Sequence, residues 1–159
     1  MKKLAIVLLI VGCIIPVTTY VQHIFFQQNC GGYLKQAADA NSVELSLERL
    51  NLALDYIENK NLTRGYTSIL WKTEDDNIEF WYNNLKTCQK ELENALDATQ
   101  LEKTNVLMKV RESLTDDKGE NGIQITVPNG ISRYPNNVGY AFGNTLCGIM
   151  LLIGLFLLV

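Results

Sequence analysis

The chain has 159 residues, 47% of them hydrophobic and 19% charged, with a mean hydropathy of +0.02. That average hides an uneven charge distribution. No charged residue lies between Lys3 and Lys35, none follows Arg133, and all 17 acidic residues fall between Asp39 and Glu120. Two apolar ends around an acidic middle exclude a single soluble domain and a disordered chain. The middle sets 12 basic against 17 acidic residues, so it offers no basic patch for nucleic acid.

The first apolar end, Leu4–Phe26, runs 23 residues without a charge. As a helix it spans about 34 Å, enough for a hydrocarbon core of about 30 Å. Pro16 kinks such a helix without breaking it, and Tyr20, Phe25 and Phe26 mark its outer end as an aromatic belt. Lys2 and Lys3 keep residues 1–3 cytoplasmic, which makes 4–26 a signal anchor. Two rivals remain for this segment. One is a cleaved signal peptide, although no Ala-x-Ala follows the apolar stretch. The other is a lipoprotein signal at Cys13, although apolar Ile14–Val17 follow where a polar tether belongs.

Residues 27–138 form the polar middle, roughly 110 residues, which suits one small domain. A helix is expected over about 33–59, because Val43, Leu47, Leu50, Leu54 and Ile57 recur at spacings of 4, 3, 4, 3. Leu45, Leu52 and Tyr56 widen its apolar face toward that of a bundle. Asn41 with Glu44 resembles a cap and its partner, so the helix can restart there. The connection 60–73 contains Tyr66, Ile69, Leu70 and Trp71, which are expected to pack onto the bundle end. Thr73 is then expected to cap a second helix over about 74–114, with Glu74, Asp75 and Asp76 at the positive end of its dipole. Ile78, Trp81, Leu85, Cys88, Leu92 and Ala95 form its seam. The register slips beyond Ala95, which allows a bend near Thr99. Residues 116–122 supply turn formers, and 123–138 alternate and then turn at Pro128 and Pro135, as an extended return segment would.

The second apolar end, 139–159, contains 19 uncharged residues from Ala141 to Val159, long enough to span. Gly139, Gly143 and Cys147 recur every four residues, a small-residue stripe that favours close helix packing. No further domain is expected after Val159.

Few residues carry chemistry. His23 is the only histidine, which excludes a His/Asp/Ser triad or a multi-histidine metal site within the middle domain, and no phosphate-loop, HExxH or CxxC pattern occurs. The carboxylates Glu74, Asp75, Asp76 and Glu79 are read as dipole caps. No catalytic, metal or cofactor site is therefore expected. Cys30 and Cys88 are the two cysteines on the outer side. They can form a disulfide only if the chain folds back at Asp39–Asn41; otherwise Cys88 is a core residue. Asn61-Leu62-Thr63 is read as a chance glycosylation sequon.

The expected architecture is mainly α: two transmembrane helices flank an extracytoplasmic antiparallel helical hairpin, a small coiled-coil-like bundle with a short extended return. The expected function is that of a non-enzymatic, two-pass protein of the cytoplasmic membrane. Its domain contacts another membrane protein or a second copy, with Tyr56, Trp71 and Trp81 as the candidate interaction surface. The alternative is an extracytoplasmic ligand-sensing subunit without its own cytoplasmic output.

Overall fold

The computed structural model describes residues 1–117 and 122–158, so most of the turn expected over 116–122 lies outside the described residues. The chain is mainly helical. Helix α1 (Lys2–Phe26) passes through one π-helical turn (Gln27–Gly31) into α2 (Gly32–Ala38), making an unbroken helix Lys2–Ala38 of 37 residues. Pro16 is tolerated inside it. Two and three residues on, the Thr18 and Thr19 hydroxyls donate to the Ile14 and Ile15 carbonyls at 2.8 Å. Helix α6 (Asn137–Phe156) is the second apolar helix and packs along α1. Both are long and apolar enough to cross a bilayer.

The expected helix over 33–59 is two helices. The break falls at Asp39–Ser42, and α3 (Val43–Asn59) starts from Ser42, one residue later than the Asn41 cap expected. Ser42 has extended backbone, and its hydroxyl accepts the Leu45 N–H at 3.2 Å. The buried Ser46 hydroxyl donates to the Ala37 carbonyl at 2.9 Å and fastens the start of α3 beside the end of α2. Val43, Leu50, Leu54 and Ile57 of the expected seam are buried, and Leu47 is half-buried.

The helix expected over 74–114 is also two. A 3-10 turn, Glu74–Asp76, precedes α4 (Ile78–Asn94), which is capped by Asn77 and not by Thr73. The delay has a local cause. The Thr67 and Ile78 N–H groups donate to the Asp76 and Gly65 carbonyls at 3.0 Å, which holds 76–78 extended against 65–67. All six seam residues of α4 are buried, including Ala95 just past its end. The bend comes where the register slips: α5 (Gln100–Leu114) begins at Thr99 with a full capping box, Glu102 accepting from Thr99 N at 2.9 Å.

Helices α2, α3, α4 and α5 therefore form a four-helix ring, closed by contact between α2 and α5. Each runs antiparallel to the one before it. Ser46 meets Ala37 and Tyr56 meets Phe26; Gln89 bonds Asn51 at 2.7 Å and Tyr82 bonds Glu58 at 2.7 Å. Lys109 bonds Glu91 between α4 and α5. The core holds Leu34, Leu50, Ile57, Leu85 and Leu92 with their neighbours. From α5 the chain enters β1 (Thr115–Asp117), paired antiparallel with β2 (Ile123–Ile125). It then packs Val127, Ile131 and Tyr134 on the bundle before α6. The extended return is thus a two-stranded ladder followed by a packed turn.

Candidate functional site

The seam between α1 and α6 is built from small side chains. Ala5, Gly12 and Thr19 recur every seven residues on α1, and all are at least partly buried. On α6, Cys147 and Gly154 are buried and Gly143 is half-buried. A Cβ on Gly12 would lie 2.8 Å from Leu151 Cγ and 3.2 Å from the Cys147 carbonyl. One on Gly143 would lie 2.7 Å from Ile15 Cδ1, and one on Gly154 3.0 Å from Leu9 Cγ. These glycines let the backbones approach. The polar members sit toward the bundle: Gln22 Nε2 donates to the Tyr140 hydroxyl at 2.6 Å, and Asn144 Nδ2 to Thr19 Oγ1 at 3.4 Å.

The expected stripe is therefore partly corrected. Gly143 and Cys147 lie in the seam, but Gly139 faces open space, and so does Gly148. Ala5, Gly12 and Gly154 are the members the single-helix pattern missed. The seven-residue recurrence on α1 was the available signal. Away from the seam both helices are apolar and exposed, from Leu4 and Ile6 to Phe25 on α1 and from Val138 to Phe156 on α6.

Both cysteines of the possible bridge carry free thiols. The chain does fold back at Asp39–Ser42, but Cys30 is buried near Tyr56, whereas Cys88 lies in the α4–α5 seam near Ser113 and Lys109. Burial pushes the Cys88 thiol above its ordinary pKa, as expected for a core cysteine.

The three aromatic residues of the expected interaction surface do not share a face. Tyr56 is half-buried, edge-on to Phe26 with ring centres 6.1 Å apart. Trp81 is a core residue, only 6% exposed, and its indole N–H donates to the Thr126 carbonyl at 2.9 Å. Trp71 alone is at the surface. Its neighbours Ile69 and Leu70 are exposed too, so this segment does not pack onto the bundle as its apolarity suggested.

A wide groove of about 1570 Å³ opens between α1, the start of α4 and the return segment. His23, Lys35, Asp76, Phe80 and Arg133 are among its lining residues. Asp76 is occupied internally by the Thr73 and Thr67 hydroxyls, at 2.6 and 3.4 Å. Among the described residues no group of three or more His, Cys, Asp or Glu side chains is placed to hold a metal.

One ionisable pair is distinctive. The Tyr82 hydroxyl donates to Glu58 Oε1 at 2.7 Å, and that acceptor, aided by partial burial, pushes Tyr82 up to about 12 from 10.0. The raised value belongs to the neutral, donating form. Its contribution to stability is complete below pH 10 and is lost as pH rises through 12. In an alkaline titration of tyrosinate absorbance Tyr82 is expected to ionise last, and Glu58→Gln to bring it back toward 10. Ionisation near 10 in the unaltered protein would show that the bond is not kept in solution.

No protein-family model, curated protein or solved structure matches the chain.

Proposed function

We infer that the chain is a two-pass membrane protein whose helical bundle stands outside the cytoplasmic membrane and contacts another membrane protein or a second copy. The observation that supports this most is the exposure of the two apolar helices. They pack against each other, yet only 11% of the most apolar stretch of each is buried. The core helix of a water-soluble protein buries most of such a stretch; lipid is the solvent that suits this surface. Lys2 and Lys3 favour a cytoplasmic N-terminus, with the acidic bundle outside.

The contact reading is supported by α5. Leu101 is 72% and Met108 58% exposed, and they lie one heptad apart on its outer face, where a bundle helix facing water carries polar residues. Gly139 and Gly148 leave room on α6 for a further helix. The protein is read as a binding protein rather than a catalyst. Its single histidine stands on α1, and the acidic cluster 74–76 is engaged in its own turn. The ligand-sensing alternative draws on the groove beside α1, which is large enough for a small solute.

Photo-crosslinkers at Leu101 and Met108 in intact membranes test the contact. A defined adduct is expected there and not at exposed Glu93 on α4. Absence of any adduct, together with a monomeric protein, would refute it. Thermal stabilisation by a small solute without any adduct would favour the sensing alternative.

A further inference from the structure

We propose that the loop tip Ile69-Leu70-Trp71 is a third membrane contact, which dips into the outer-leaflet interface beside the two helices. The proposal rests on the membrane reading above and adds a site to it.

Placement comes first. Helix α3 descends from Ser46 beside Ala37 to Tyr56 beside Phe26, so the connection after Asn59 hangs at the end of the bundle from which α1 emerges. Helix α4 starts from that same end and climbs away, with Tyr82 beside Glu58 and Gln89 beside Asn51. The connection is anchored there as well. Gly65 lies against the Tyr134 hydroxyl so closely that a Cβ would overlap it, and α6 begins three residues after Tyr134. Residues 73–77 border the same groove as Pro16, Tyr20 and His23 of α1. The loop thus sits level with the outer end of the apolar helices.

Its construction comes second. The hydrogen bonds between 65–67 and 76–78 close the base of the loop and leave 68–75 as a projecting tip. Thr67 at the base is buried, whereas Leu70 is 80% and Trp71 71% exposed. An aliphatic–indole pair held out from a braced base loses free energy in water and regains it in an interface, where Trp concentrates. Lys72 lies over the Tyr66 ring, 4.6 Å from its centre, beside the tip, where its ammonium can reach lipid phosphate. Exposed Glu74 and Asp75 follow at once and limit the depth to the headgroup boundary. The bilayer is favoured over a protein partner because the exposed apolar belts of α1 and α6 reach the same level.

Trp71 and Trp81 are the only two tryptophans, which provides a direct test. The full-length protein is reconstituted into phosphatidylcholine vesicles whose acyl chains are brominated near the headgroup. Trp71 emission is expected to be largely lost, leaving the buried Trp81 signal. The lipid-dependent loss is expected to vanish in Trp71→Phe, an exposed substitution that spares the core. Vesicle flotation separates the two readings. If the protein floats but Trp71 is quenched only by water-soluble iodide, the loop contact is overturned and the anchoring stands. If it does not float, the anchoring fails and the loop contact with it. If Trp71 is shielded from iodide in native membranes but not in pure vesicles, a protein partner covers the tip and the lipid assignment is overturned.

Discussion

Replacing Trp81 by alanine is expected to cost about 3–5 kcal/mol of bundle stability, the range for removing a large buried aromatic side chain. Trp81 lies one turn into α4, the second residue of a seam in which every member is buried. It also reaches out of the bundle: its indole N–H holds the Thr126 carbonyl, in the segment between β2 and the packed turn at Ile131. Alanine therefore opens a cavity and releases the return segment together. Trp81→Phe separates the two effects. It keeps most of the ring volume and is expected to lose about 1 kcal/mol, the net value of one hydrogen bond. Denaturant unfolding in detergent micelles, followed by circular dichroism, measures both. A loss below 1 kcal/mol for the alanine variant would mean that the α4 seam is not packed as described.

The second large effect is expected at Gly12. Leucine there must displace Leu151 and also meets the Cys147 carbonyl, which is backbone and cannot rotate away. Overpacking of this kind costs about 1–3 kcal/mol. The α1–α6 pair is expected to loosen, with the folded fraction falling at lower SDS in mixed micelles. Gly139→Leu serves as the comparison, because no atom lies within 4 Å of its Cβ position. Equal sensitivity at the two positions would refute the assigned seam.

These two sites mark what could be read from the sequence and what could not. The α4 seam was fully legible, because its six apolar residues keep one spacing and nothing else competes for that face. The breaks were half legible. A polar residue near 41 and a register slip near 99 signalled an interruption, but side chains chose the cap: Ser42 won over Asn41, and Asn77 over Thr73. Gly143 and Cys147 meet α1 and Gly139 does not, because small residues on one helix do not reveal which face its partner takes. Only the matching recurrence of Ala5 and Gly12 on α1 fixes it. Ile69–Trp71 read as packing onto the bundle end and are exposed instead, because hydropathy marks what avoids water and does not say what covers it. The free thiols follow from direction as well. The chain turns back as a bridge would need, but Cys30 and Cys88 pack against different neighbours.

The unbroken helix Lys2–Ala38 has a mechanical consequence. Its 37 residues make a rod of about 55 Å, of which α2 forms one wall of the bundle. No loop lies between the part suited to lipid and the part buried in protein. Each degree of tilt about the Lys2 end carries Ala38 about 1 Å sideways. A long apolar helix meets a thinner bilayer by tilting. In the two-pass arrangement proposed above, bilayer thickness would thereby set the lateral position of the bundle, with the helix acting as the lever.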